Sequence, residues 1–105
     1  LKLNFFQSNS ESEIIKSIHD AKSKYSGLII NAGGYTHTSI AIHDSLKILS
    51  IPIIEAHLSN PLKREKFRHN SYISSVATGI ISGFGSNVYK ISIIAIAEIL
   101  GGLNE

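Results

Sequence analysis

Leu28-Ile29-Ile30 is a three-residue run without a polar side chain, entered from Gly27 and stopped by Asn31-Ala32-Gly33-Gly34. Because successive side chains in a strand point to opposite faces, an uninterrupted apolar run fits a strand covered on both sides, as in a parallel sheet flanked by helices. The flanking sequence supplies those helices. Ser10 followed by Glu13 has capping-box spacing, and Ile14, Ile18, Ala21 and Tyr25 then form one apolar stripe that Gly27 ends. A second stripe runs through Ile42, Leu46 and Leu49, with Thr36 or Thr38 available as its N-cap, and Ser50 precedes a strand over residues 51–57.

Residues 1–7 alternate Leu1, Leu3 and Phe5 with Lys2 and Asn4, which predicts a further strand. Residues 60–72 are polar and irregular, with at most a short helical turn over 64–68. A strand over 78–82, a Gly83-Phe84-Gly85 turn and a helix from about Asn87 complete the chain. That helix is apolar around most of its girth (Val88, Ile91, Ile93, Ile94, Ile96, Ile99, Leu100), so burial against the sheet and against another subunit is expected. The pattern β-α-β-α-β-loop-β-α predicts an α/β fold, an open and mostly parallel sheet with helices on both faces, in a single domain over residues 1–105. Ligands of such sheets sit beyond the carboxyl ends of the strands.

Composition removes several classes of function. Without cysteine there is no disulfide scaffold, thiolate zinc site or thiol nucleophile. Ten Lys and Arg against eight Asp and Glu give a net charge of +2, and the densest basic run, around Arg64 and Arg68, contains Glu65, so no nucleic-acid partner is expected. The most apolar stretch, 91–100, is interrupted by Ser92 and Glu98 and falls short of the ~20 residues of a membrane helix, so no membrane span is expected. The opening Leu1-Lys2-Leu3-Asn4-Phe5-Phe6 has neither an initiator Met nor signal-peptide order, so further sequence upstream is expected.

Two strand ends are unusually polar. One carries Asn31, Gly33, Gly34 and His37, and the other Glu55, His57, Leu58 and Ser59. By strand alternation Glu55 and His57 share a face, where the carboxylate either orients the imidazole for proton transfer or forms a purely structural hydrogen bond. Gly33-Gly34 suits either a tight turn or the approach of an anion to exposed N–H groups. Asn31 suits a hydroxyl-bearing ligand or an Asx turn closing the strand. Alone, His37 reads as a surface or capping histidine. Arg64 and Arg68, four apart, would share one side of a helical turn, either clamping an anion or hydroxyl or lying solvated beside Glu65. None of the five histidines has an acidic cluster at ligand spacing, so no metal site is expected.

Taken together, Phe5-Phe6-Gln7-Ser8-Asn9, the segment from Ile29 to Ser39, Glu55-Ala56-His57-Leu58-Ser59-Asn60 and the segment from Arg64 to Ser71 resemble type II 3-dehydroquinate dehydratase in order and spacing. The resemblance covers nearly the whole chain. It implies a flavodoxin-like fold, a cytoplasmic enzyme without metal or organic cofactor, and a homo-oligomer built as a dodecamer of four trimers. The reaction it implies is trans-dehydration of 3-dehydroquinate to 3-dehydroshikimate through an enolate, in aromatic amino acid biosynthesis (the shikimate pathway) or in quinate breakdown. Carried over by motif, His57 is the general acid and Glu55 orients it. Leu58 and Ser59 bind the substrate carboxylate, while Asn31, His37 and Arg68 hold ring hydroxyls. Arg64 lies near the catalytic tyrosine, and Asp44 reaches a neighbouring subunit's site.

The family's first, central strand, its Gly-Pro-Asn-Leu-Asn segment and its lid with an arginine and the proton-abstracting tyrosine have no counterpart here. Roughly 40 preceding residues are therefore expected by comparison with typical domain sizes. Tyr25, Tyr35, Tyr72 and Tyr89 match nothing in the lid, and none is assigned as the base. The alternative expectation is a catalytically inactive fragment that keeps an anion-binding or oligomer-forming role.

Overall fold

The computed structural model describes residues 2–101. Three parallel strands, β1 (Leu28–Ile30), β2 (Ile53–His57) and β3 (Gly79–Ser82), lie side by side in the order β1-β2-β3. Helix α1 (Glu11–Lys24) precedes β1, α2 (Ile40–Lys47) joins β1 to β2, and α3 (Asn87–Ile99) follows β3. The register sets Ile30 beside Glu55 and His57 beside Ser82, so the carboxyl ends of all three strands open at one edge.

The local signals explain most boundaries. Ser10 caps α1 by accepting the N–H of Glu13, and Glu11 and Glu13 in its first turn oppose Lys22 and Lys24 in its last, matching the helix dipole at both ends. Ile18 and Ala21 turn the buried face of α1 inward. The N-cap of α2 is Ser39, whose Oγ accepts the N–H of Ile42 at 2.9 Å, and not Thr36 or Thr38. A 3₁₀ helix over Gly33–His37 takes up Thr36, with Thr38 as its C-cap, and moves the α-helical start past both. The strand predicted over 51–57 begins at Ile53, because Pro52 has no N–H for the ladder and contributes only its carbonyl, which accepts from Leu28 N at 2.9 Å.

One face of the sheet packs on α1 and α2 through Ile18, Ile30, Ile42, Leu46, Ile53 and Ile73, all buried. The faces of β2 alternate, so Ile54 and Ala56 point the other way, toward α3, whose buried residues are Val88, Ser92, Ile96 and Ala97. Gly27 marks a close approach on that side: a Cβ there would stand 2.8 Å from Ile96 Cγ2.

Two expectations are corrected. Residues 2–7 form no strand and are exposed, Phe5 at 91%. Their alternation suits a half-buried strand, but among the described residues no strand offers them a ladder, and a side-chain pattern without backbone partners does not make a strand. Leu1 lies outside the described residues. The single turn expected over 64–68 is replaced by 3₁₀ turns at Pro61–Lys63 and Lys66–Arg68, with Arg64 extended between them. Helix α3 meets the sheet with one face, as expected, and Ile91, Ile94 and Ile99 on its other faces are 37%, 47% and 48% exposed, the faces on which contact with another subunit was expected.

Candidate active site

Glu55 and His57 leave β2 on the face of Ile53, at the open edge of the sheet. Glu55 is 2% exposed, and burial alone would drive its proton back on. Hydrogen bonds reverse that outcome. His57 Nε2 lies 2.6 Å from Oε2, Ser71 Oγ donates to the same oxygen at 2.8 Å, and Ser74 Oγ donates to Oε1 at 2.6 Å. Against the desolvation of burial, the bonds from His57, Ser74 and Ser71 hold the carboxyl below its ordinary value, so it is a carboxylate at neutral pH.

The loop that brings the serines is itself fixed. Ser71 Oγ accepts the N–H groups of Ile73 and Ser74 at 3.0 and 3.1 Å, which leaves its own proton to point at Glu55. Since an ionised carboxylate only accepts, His57 Nε2 carries a proton, and Nδ1 is left for a ligand, as acceptor when the ring is neutral and donor when it is charged.

His57 opens onto a crevice of about 320 Å³. The end of β1 and the following 3₁₀ helix contribute Asn31, Gly33, Gly34 and His37, the end of β2 contributes Leu58 and Ser59, and the loop beyond contributes Arg64 and Arg68. Gly33, at φ 57, turns the chain through the left-handed region, with nothing near its missing Cβ. His37 Nδ1 lies 2.8 Å from the carbonyl of Asn70, which only accepts, so Nδ1 carries the proton and Nε2 is the free nitrogen.

Both readings of Asn31 hold at once. Its Oδ1 accepts the Gly33 N–H at 3.2 Å as an Asx turn, and the same side chain lines the crevice, its Nδ2 donating to Tyr89 Oη at 3.0 Å. The arginines likewise combine their alternatives. Arg68 Nε donates to Glu65 at 2.8 Å, and Arg64 Nε stands 3.9 Å from the same oxygen, while both side chains edge the crevice. The Glu65 N–H and Arg68 hold that exposed carboxyl below its ordinary range. Two guanidinium groups against one carboxylate leave this rim positive, suited to an anion.

Of the residues singled out from sequence, the crevice gathers His57, Asn31, His37, Leu58, Ser59, Arg64 and Arg68, with Glu55 directly behind His57. Asp44 is not among them: it is exposed on α2. Sequence reasoning missed the roles of Ser71, Ser74 and Tyr89. A signal existed for the serines, because a carboxylate buried at a strand end requires several donors and His57 supplies one. Among the described residues no group of three or more His, Asp or Glu is placed to hold a metal ion, and no helix is long and apolar enough to cross a membrane.

The family model for dehydroquinase class II matches residues 1–97. The chain is 54% identical over 99 residues to a 3-dehydroquinate dehydratase of Gloeothece citriformis, covering 94% of this chain and 65% of that protein. It is 55% identical over 91 residues to that of Caulobacter vibrioides, covering 87% and 62%. These first relatives are therefore matched over less than two thirds of their own length. Among solved structures, the type II dehydroquinase from Butyrivibrio crossotus superposes with a TM-score of 0.84 at 43% identity, over 86% of this chain and 63% of that one. The type II dehydroquinase from Propionibacterium acnes gives the same TM-score of 0.84 at 38% identity, over 88% and 68%. The fold is accordingly flavodoxin-like, and a match that takes in the Glu55–His57 strand end, both arginines and the polar segment after β1 means that this chain belongs to the class II dehydroquinase family.

Proposed function

We propose that this protein is a 3-dehydroquinate dehydratase, a hydro-lyase that converts 3-dehydroquinate to 3-dehydroshikimate by trans-elimination of water through an enolate. The observation that carries the reading is the Glu55–His57 pair, a buried carboxylate 2.6 Å from an imidazole whose other nitrogen is left for a ligand in the crevice.

Elimination next to a carbonyl proceeds in two proton transfers. Loss of the carbon-bound proton leaves an enolate. The enolate's electron pair then forms the C=C bond as the C–O bond breaks, and the departing hydroxyl takes a proton and leaves as water. His57, charged and donating from Nδ1, supplies that proton, while Glu55 stays ionised and stabilises the imidazolium from Nε2. A hydroxide is a poor leaving group and water a good one, so this transfer contributes ~10²–10⁴-fold to the rate. The first proton transfer is assigned to none of Tyr25, Tyr35, Tyr72 and Tyr89. Tyr35 Oη is tied to the carbonyl of Asn9 at 2.9 Å, and Tyr89 Oη is occupied by Asn31.

The other groups match a polyhydroxy carboxylate. The Leu58 N–H and the Ser59 N–H and hydroxyl take the carboxylate, and Asn31, His37 and Arg68 take ring hydroxyls. Arg64 favours the phenolate of the tyrosine that abstracts the carbon-bound proton, and Asp44 reaches the site of a neighbouring subunit. The exposed isoleucines of α3 support assembly into a homo-oligomer, a dodecamer of four trimers, working in the cytoplasm without a cofactor. Residues 1–105 form one domain of it. Nothing in the comparisons favours the inactive-fragment reading.

The test is to follow the enone absorbance of 3-dehydroshikimate when the full-length gene product is mixed with 3-dehydroquinate. Growth of that absorbance at a rate proportional to enzyme is the expected result. Its absence, with the protein folded, overturns the proposal.

A further inference from the structure

We infer that Tyr89 is a positioning residue for Asn31, fixing which way its side-chain amide faces and hence how it binds a ligand hydroxyl. The inference rests on the functional reading above.

A primary amide has a carbonyl oxygen and an NH₂ group of nearly equal size, and its terminal torsion is broad, so a solvent-facing asparagine turns freely between two opposite orientations. At Asn31 both ends are held. The Gly33 N–H can only donate, so it selects Oδ1, at 3.2 Å. Tyr89 Oη, 3.0 Å from Nδ2, then serves as the acceptor for one of the two amide protons. A flipped amide would set N–H against N–H at Gly33. What remains for the crevice is one N–H and one carbonyl lone pair in known directions, the pair of functions needed to accept from and donate to the same hydroxyl.

The holder is also rigidly rooted. Tyr89 sits in the first turn of α3 between Val88, fully buried, and Lys90, and Ser92 Oγ donates to the Val88 carbonyl at 2.6 Å within the buried face. The backbone turn before it is anchored by Gly85 N donating to Leu58 O at 2.9 Å and Gly83 N donating to His57 O at 3.1 Å. The end of β1 and the end of β2, which carry the two halves of the crevice, are thus both referenced to the start of α3. Tyr89 does not itself line the crevice, so it acts through Asn31.

The test is a cycle of Tyr89→Phe, Asn31→Ala and the double variant, read in KM and kcat for 3-dehydroquinate and, by calorimetry, in the Kd of the same compound. Tyr89→Phe removes only the acceptor oxygen. It is expected to raise KM and Kd about 2- to 10-fold, the span of one ordinary hydrogen bond, with a smaller change in kcat. In the Asn31→Ala background it is expected to change neither constant. Unchanged KM and Kd for Tyr89→Phe overturn the inference, as does an effect of equal size when Asn31 is already alanine, or a lowered unfolding temperature with no change in binding. A wild-type protein that neither turns over nor binds 3-dehydroquinate removes the functional reading and this inference with it, whereas wild-type turnover with no Asn31–Tyr89 coupling removes the inference alone.

Discussion

Replacing Ser74 with alanine separates the energetic role of the buried carboxylate from the catalytic one proposed for it. Ser74 Oγ, at 2.6 Å, is the side-chain donor to Oε1 of Glu55, while Oε2 keeps its bonds from His57 and Ser71. Ser74→Ala therefore strands one oxygen of a carboxylate that is 2% exposed, without touching the contact to the imidazole. A hydrogen bond to a charged group contributes ~1.5–3 kcal/mol, and that is the expected loss of unfolding free energy at pH 7. The pH dependence follows from the direction of the Glu55 shift. Its folded pKa is below the unfolded one, so its contribution is complete above the ordinary carboxylate range and disappears as pH falls through the folded pKa. The difference between wild type and Ser74→Ala is thus largest at pH 6–8 and narrows as pH falls from the ordinary carboxylate range through the lowered folded pKa, below which both states bind the proton. Urea titrations of both proteins at pH 7 and near pH 3 measure it, and turnover at pH 7 should drop less than about 10-fold because Oε2 still meets Nε2. A difference under about 0.5 kcal/mol at pH 7, or one of equal size at both pH values, would refute the argument that these bonds keep Glu55 ionised.

Arg68→Ala should raise KM with little change in kcat, so that kcat/KM falls, since the proposed hydroxyl contact persists equally from bound substrate to transition state; an unchanged KM would leave Arg68 a partner of Glu65 only. Gly27→Ala places a Cβ 2.8 Å from Ile96 Cγ2 and should destabilise the chain by ~1–3 kcal/mol in thermal or urea unfolding, whereas a neutral result would mean that α3 shifts freely against the sheet. Light scattering on the full-length gene product should give a high-order assembly, lowered in order by Ile94→Lys on the exposed face of α3; a monomer for the wild type would leave those isoleucines unexplained and remove Asp44 from the site.

How much of this was legible beforehand depended on whether the signal was local. The apolar run at Leu28–Ile30, the Ser10 cap and the stripe of α1 are local, and each formed where its pattern put it. Glu55 and His57 were legible as a pair because strand alternation fixes their common face from spacing alone. Residues 2–7 carried an equally clear alternation but no partner, and pairing is a property of two segments. Ser39 displaced the threonines as the cap of α2 because the 3₁₀ helix before it takes up their positions, which composition does not reveal. Ser71 and Ser74 reach Glu55 across 16 and 19 residues, and Tyr89 reaches Asn31 across 58, so these contacts became visible only with the fold. The apolar girth of α3 was legible, but helical hydrophobicity reports only that a face is covered, without saying what covers it, and within this chain the sheet covers one face.

The proposed delivery of a proton by His57, held by Glu55, to a leaving hydroxyl in the crevice is put to the test by His57→Ala in the full-length gene product, with kcat measured from the enone absorbance and affinity for 3-dehydroquinate measured by calorimetry. The expected result is that kcat falls ~10²–10⁴-fold while Kd moves less than about 10-fold, because the lost interaction develops only as the C–O bond breaks. Near-wild-type turnover in His57→Ala would contradict it.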